Sequence, residues 1–138
     1  MKIKLLQIRE ATDVKICDPK SVVDSMQEEA LADRECLWCL HLNTTNNIIE
    51  KELVSMGILN ASLVTPREVF KKAIINSACS IILVHNHPSG DPTPSSIDIA
   101  VTRQLVKCGE ILEIKVIDHI ILGSQGRFVS LKGLKMGG

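Results

Sequence analysis

The apolar positions of this chain change period several times, and each change marks an element. Residues 21–31 place Val22, Val23, Met26 and Ala30 on one stripe at helical spacing, with Ser21 and Asp24 as a capping-box-like start. Residues 35–42 alternate loosely and read as a buried strand. Asn46-Asn47 marks a turn, and residues 48–55 form a second strand. Thr65-Pro66-Arg67-Glu68 is a helix start: Thr at the N-cap, Pro in the first helical position, Glu three residues after the cap. The helix it opens should bury Val69, Phe70, Ala73, Ile74 and Ser77.

The second half continues the alternation of elements. The run 80–87 is apolar enough for a buried strand. Residues 95–108 form a helix with Ile97, Ala100, Val101, Leu105 and Cys108 inward, closed by Gly109. Residues 114–122 and 127–131 are two strands joined by Gly123-Ser124-Gln125-Gly126, and residues 2–8 form a further strand. Strands and helices are interspersed with short connections, so the fold class is α/β: a mixed β-sheet flanked by helices.

Length and composition narrow this further. At 138 residues, with no linker, repeat or low-complexity stretch, one domain is expected. Aromatic residues are scarce (Trp38, Phe70 and Phe128), so the core is aliphatic and a base-stacking platform for single-stranded nucleic acid is disfavoured. The formal net charge is zero and no basic run stands out, so a DNA-binding role lacks its electrostatic footprint. Lys71-Lys72 reads as a solvated helix face. The cysteines are odd in number (Cys17, Cys36, Cys39, Cys79, Cys108) and sit mostly in apolar segments, which favours buried free thiols in a reducing compartment. There is no signal-peptide pattern, and no apolar run approaches the ~20 residues that span a bilayer. A cytoplasmic location is expected; oligomeric state is open.

The chemistry concentrates in residues 85–98, which read His85-Asn86-His87-Pro88-Ser89-Gly90-Asp91-Pro92-Thr93-Pro94-Ser95-Ser96-Ile97-Asp98. On a strand, His85 and His87 share a face because side chains alternate with period two. Pro88, Pro92 and Pro94 stiffen the following loop. Ser95 then opens a helix with Asp98 in its first turn. Two imidazoles and a carboxylate can thus converge on one point, the make-up of an open catalytic metal site. Asp98 also has a capping role, and the two are compatible: a helix N-terminus favours an ionised carboxylate, which is what a metal requires. Asn86 points to the other face and is expected to hold loop backbone.

The pattern His-x-His-Pro-x6-Ser-x2-Asp resembles the JAMM (MPN+) metalloprotease motif at every fixed position. The wider context resembles the RadC family: Thr65-Pro-Arg-Glu-Val-Phe, Ile82 through Ser95, and Ile117-Asp-His-Ile-Ile-Leu-Gly. The resemblance covers roughly residues 20–131. Longer RadC proteins carry a helix-hairpin-helix segment before this domain, and none is expected here. The resemblance implies a JAMM/MPN-like fold of cytidine-deaminase-like architecture. It also implies Zn²⁺ held by His85, His87 and Asp98, with a protein or peptide as substrate.

Such a site needs a general base within reach of the attacking water. JAMM enzymes take it from a glutamate on an early strand, and Glu35, opening the run 36–40, is the matching position. Its competing reading is a solvated charge beside Arg34. Glu28, Glu29, Glu50 and Glu52 are placed less well. Ser95 would donate to the tetrahedral oxyanion. For Asp118-His119, ordinary hydrogen bonding is expected.

Three rivals remain for comparison. A non-haem iron site also uses two histidines and a carboxylate, but with ligands on strands of a β-rich barrel. A zinc deaminase needs His-x-Glu and a later Pro-Cys-x-x-Cys. The Cys36–Cys39 pair precedes the histidines, lacks the proline, and on a strand points to opposite faces. The RadC resemblance also allows a DNA-repair-associated module that binds nucleic acid or a protein partner without proteolysis. An intact ligand set and neutral charge weigh against it.

Overall fold

A computed structural model describes residues 9–60, 62 and 64–133. The expected strand at 2–8 lies outside the described residues. In chain order the elements are α1 (Pro19–Ser25), a 3-10 turn (Glu29–Leu31), β1 (Cys36–Leu42), β2 (Ile48–Met56), α2 (Pro66–Ile75), β3 (Ser80–Asn86), α3 (Ser96–Leu112), β4 (Lys115–Leu122), β5 (Phe128–Ser130) and a second 3-10 turn (Leu131–Gly133). The strands form one mixed sheet in the order β2-β1-β3-β4-β5. Every pairing is antiparallel except β3 with β4, which are parallel and joined by α3. The class is the mixed α/β sheet flanked by helices that the pattern implies, and it is consistent with a JAB/MPN-like fold.

Two apolar layers sandwich the sheet. One joins Val69, Phe70 and Ala73 of α2 and Val101 and Leu105 of α3 to Leu37, Cys39, Ile81 and Leu83. The other joins Val22 and Met26 to Trp38, Leu40, Leu42, Ile82, Val84, Ile120 and Leu122. With helices on both faces, β1 and β3 are buried along their whole length, as central strands covered on both sides must be.

Several boundaries differ from the pattern-based expectation. The first helix starts earlier, because Asp18 is the N-cap: its Oδ1 accepts from Ser21 N at 2.7 Å, and Ser21 Oγ answers from the third position. It ends at Ser25, and Ala30 belongs to the separate 3-10 turn. Thr65 caps α2 as expected, its Oγ1 accepting from Glu68 N. Ile74, however, is 54% exposed and Ser77 is also exposed, because α2 buries a narrower face than its composition suggests. In α3, Ile97 and Ala100 face outward. That helix runs through Gly109, which is an internal contact instead of a stop: a Cβ there would lie 2.5 Å from Ile114 O. The helix ends in a left-handed residue, Glu113.

All five cysteines are free, but only Cys36 and Cys39 are buried; Cys17 and Cys79 lie exposed in connections. Lys71 is solvated, whereas Lys72 Nζ pairs with Glu50 at 2.6 Å. No helix among the described residues is long and apolar enough to cross a membrane.

Candidate metal centre

Antiparallel register assembles the first half of the site. Leu37 of β1 lies opposite His85 of β3. Two residues back along β1 and two forward along β3 keep the same face, so Glu35 comes beside His87. The second half comes from α3, which packs on that face and delivers Asp98 from its first turn. His85 is fully buried and Asp98 is 2% exposed. The side chains of Glu35 and His87 keep limited solvent access.

The four side chains meet closely. His85 Nε2 lies 3.1 Å from Glu35 Oε1 and 3.5 Å from Asp98 Oδ1. His87 Nε2 lies 3.2 Å from Asp98 Oδ2 and 3.9 Å from Glu35 Oε1. One ligand atom from each falls within 4.8 Å of every other, a group that can hold a metal ion. Ser95 stands at the N-cap of α3 on the rim: its Oγ accepts from Asp98 N at 3.0 Å, while Asp98 Oδ2 accepts from Ser95 N at 2.8 Å. This reciprocal cap orients the carboxylate, and the positive helix end favours its ionised form.

The donor set fits a cation. His87 Nδ1 sits 2.9 Å from the Asp91 carbonyl, which only accepts, so Nδ1 carries a proton and Nε2 is the nitrogen turned to the cluster. His85 turns its Nδ1 to His119 Nε2 at 3.0 Å and its Nε2 to the cluster. Burial pulls the pKa of His85 down to about 4, against the attraction of Asp98, so its ring is neutral at pH 7. Burial also holds the Glu35 carboxyl above its usual range; His87 opposes this and Asp98 adds to it. Two carboxylates and two ring nitrogens therefore face one another, and a positive ion is the partner that satisfies them together.

Backbone clamps hold the parts in place. Asn86, between the two histidines in sequence, points to the opposite face, as parity requires. Its Oδ1 accepts from Cys36 N at 2.8 Å, and its Nδ2 donates to Arg34 O at 3.0 Å and Ala32 O at 3.4 Å. It thus grips the backbone on either side of Glu35. The loop 88–94 leans on the β4–β5 turn. Gly90 O accepts from Ser124 N at 2.9 Å and Arg127 Nη2 at 2.7 Å, and His87 N donates to Leu122 O at 2.9 Å. A Cβ on Gly123 would lie 2.5 Å from Gly90 O, so the two backbones meet where only glycine fits.

A second group, Cys39, His41 and Glu52, also has ligand-type atoms close together, but both ring nitrogens of His41 are already engaged. Asn76 Nδ2 donates to Glu50 Oε1 at 2.9 Å and, with its other hydrogen, to His41 Nδ1 at 2.8 Å. His41 must then donate from Nε2 to Glu52 at 3.0 Å. No lone pair of His41 remains for an ion, and burial drives the Cys39 thiol far above its usual pKa. Glu50 and Glu52 are thereby accounted for away from the first cluster, and Glu29 pairs with Lys51.

Asp118 and His119 are hydrogen-bonded as expected, but the place of His119 next to the cluster is not legible in the sequence. His119 is fully buried beneath His85 and bonded to Thr102 Oγ1 at 2.5 Å. Simple alternation from Val116 would put it on the other face. The β3–β4 register instead steps from Val116 to Asp118 against consecutive Ile81 and Ile82, and this extra residue turns His119 toward α3. Asp118 then faces away. Its Oδ1 accepts from His119 N at 2.7 Å and Lys132 N at 2.9 Å, and its Oδ2 from Ser130 Oγ at 2.6 Å.

A mixed sheet flanked by helices, with histidines ending a central strand and an aspartate opening the next helix, defines a JAB-domain protein with a candidate metal-binding cluster. The RadC-like JAB domain profile matches residues 16–136, and the chain belongs to that family. It is 55% identical over 107 residues to a UPF0758 protein of Bacillus cereus (strain B4264), covering 78% of this chain and 47% of that protein. It is 53% identical over 119 residues to a UPF0758 protein of Methanosarcina acetivorans, covering 86% and 52%. A UPF0758 protein of Methanococcoides burtonii is 60% identical over 99 residues, covering 72% and 43%. The chain thus spans about half the length of these curated relatives.

Proposed function

We propose that the chain is a JAMM-type zinc hydrolase that cleaves an amide or isopeptide bond in a protein or peptide. The observation that carries this is the convergence of His85, His87, Asp98 and Glu35, with His87 Nε2 directed inward. His85, His87 and Asp98 would hold the ion. When bound, zinc supplies Lewis acidity, lowering the pKa of a water toward ~7 and polarising the scissile carbonyl. Glu35, at the rim with partial solvent access, takes the proton from the attacking water and returns it to the leaving amine. Ser95 uses its oxygen to accept from Asp98 N and turns its hydroxyl proton to the developing oxyanion, a role worth roughly 3 kcal/mol for a single donor.

The test is calorimetric titration of zinc into the purified, chelator-stripped chain, then hydrolysis of peptide- and isopeptide-linked reporters. One tight site is expected, lost in His87→Ala. Glu35→Gln should keep zinc and lose turnover. Absence of tight binding, or unchanged binding in His87→Ala, refutes the metal assignment; turnover retained by Glu35→Gln moves the base elsewhere. Metal analysis that finds iron alone at full occupancy would favour the non-haem iron alternative.

A further inference from the structure

We infer that Thr102 and His119 form a buried positioning relay that runs as a hydrogen-bonded chain from Asp98 to His85 and decides which nitrogen His85 presents. The inference rests on the metal-site reading for its purpose, but its geometry stands independently.

The relay starts on α3. Thr102 Oγ1 lies 2.6 Å from the Asp98 carbonyl oxygen, one turn earlier. A carbonyl brings no proton, so a contact this short requires the hydroxyl to donate, and a hydroxyl donates once. Thr102 Oγ1 also lies 2.5 Å from His119 Nδ1. With its hydrogen spent, Thr102 can only accept there, so His119 carries its proton on Nδ1. His119 Nε2 is then an acceptor, and at 3.0 Å its partner His85 Nδ1 must be the donor. The remaining nitrogen, His85 Nε2, is left bare and faces Glu35 and Asp98.

The opposite wiring has an identifiable fault. If Thr102 donated to His119, the protons would shift so that His85 Nε2–H pointed into the cluster. Two oxygens would then stand 2.6 Å apart with no hydrogen between them. The threonine thus selects the arrangement that suits a ligand, through a histidine on a third element. In a neutral imidazole one nitrogen donates and the other accepts, which makes the relay directional. Asp98 and His85 come from α3 and β3, and the relay ties both to β4.

The chain has four histidines, so imidazole tautomers can be assigned by two-bond ¹H–¹⁵N correlation in the metal-free protein at neutral pH. His85 and His119 should both be Nδ1–H; an Nε2–H form of either overturns the relay, whether or not the protein binds metal. In the second arm, Thr102→Val should raise the zinc dissociation constant about tenfold or more, the usual penalty for losing a ligand-orienting partner. Thr102→Ser should return it to within about twofold of the parent. Equal zinc affinity in Thr102→Val overturns the relay. So does a loss that Thr102→Ser fails to rescue. If the parent itself binds no zinc, the metal reading fails while the tautomer result still judges the wiring. If Thr102→Val does not fold, the tautomer measurement on the parent decides.

Discussion

Asn86 offers a stringent test of how Glu35 is positioned. Asn86→Ala removes two well-formed hydrogen bonds, to Cys36 N and Arg34 O, and one long one to Ala32 O. Losing the bond to Arg34 O costs about 1 kcal/mol net, and leaving the buried Cys36 N–H unpaired costs about 1–3 kcal/mol. Asn86 is 2% exposed, so water cannot readily take over. The expected loss is roughly 2–4 kcal/mol. An unfolding entropy of about 2.1 cal/mol/K per residue over 138 residues gives about 3.5 °C per kcal/mol, so the melting temperature should fall by about 7–14 °C. Urea unfolding followed through the single tryptophan, buried Trp38, measures the free energy directly. Asn86→Asp is the sharper variant: it keeps an acceptor for Cys36 N but turns an acceptor toward two carbonyls, and should destabilise at least as much. A drop of less than about 2 °C for Asn86→Ala, or parent-like stability in Asn86→Asp, would refute the clamp.

Three further outcomes are expected. Gly109→Ala, which in an ordinary helix interior gains about 1 kcal/mol, should instead lower stability by roughly 1–3 kcal/mol, because its Cβ meets Ile114 O at 2.5 Å; a rise in melting temperature contradicts this. Burial lowers the pKa of His41 to about 4, against Glu50 and with Lys72 and Arg9, below the 6.5 of the exposed ring. The unfolded chain therefore binds the extra proton first, and stability is lost as pH falls from about 6.5 toward 4. His41→Gln should flatten that part of a melting-temperature profile, and an unchanged slope excludes the contribution. A thiol reagent should label Cys17 and Cys79 rapidly in the folded chain and reach Cys36 and Cys39 only on unfolding; rapid labelling of Cys39 argues against its buried place in β1.

Local rules made much of this site readable. Period-two parity put His85 and His87 together and turned Asn86 away. The capping pattern at Ser95 placed Asp98 in the first turn of a helix. These statements depend on residues close in sequence, where geometry is nearly fixed. His119 was not readable, because its face depends on a one-residue step in the β3–β4 pairing that no local pattern encodes. Gly109 reads as a stop in sequence because the close approach of Ile114 is a tertiary fact. The helical pattern points Ile74 and Ile97 inward, yet α2 and α3 each bury a narrower face. The exposed Cys17 and Cys79 fall at connections, where neighbouring apolar residues say little about burial.

The spread of the site along the chain has a consequence for how the protein is made. Glu35 emerges early, His85 and His87 well after α2, then Asp98, and His119 only with β4. A nascent chain that ends at His87 holds both histidines but not the helix that brings the carboxylate. One that ends within α3 lacks the strand beneath His85. The three side chains proposed as ligands therefore come together only once α3 has packed against β3, and unfinished chains carry an incomplete pocket.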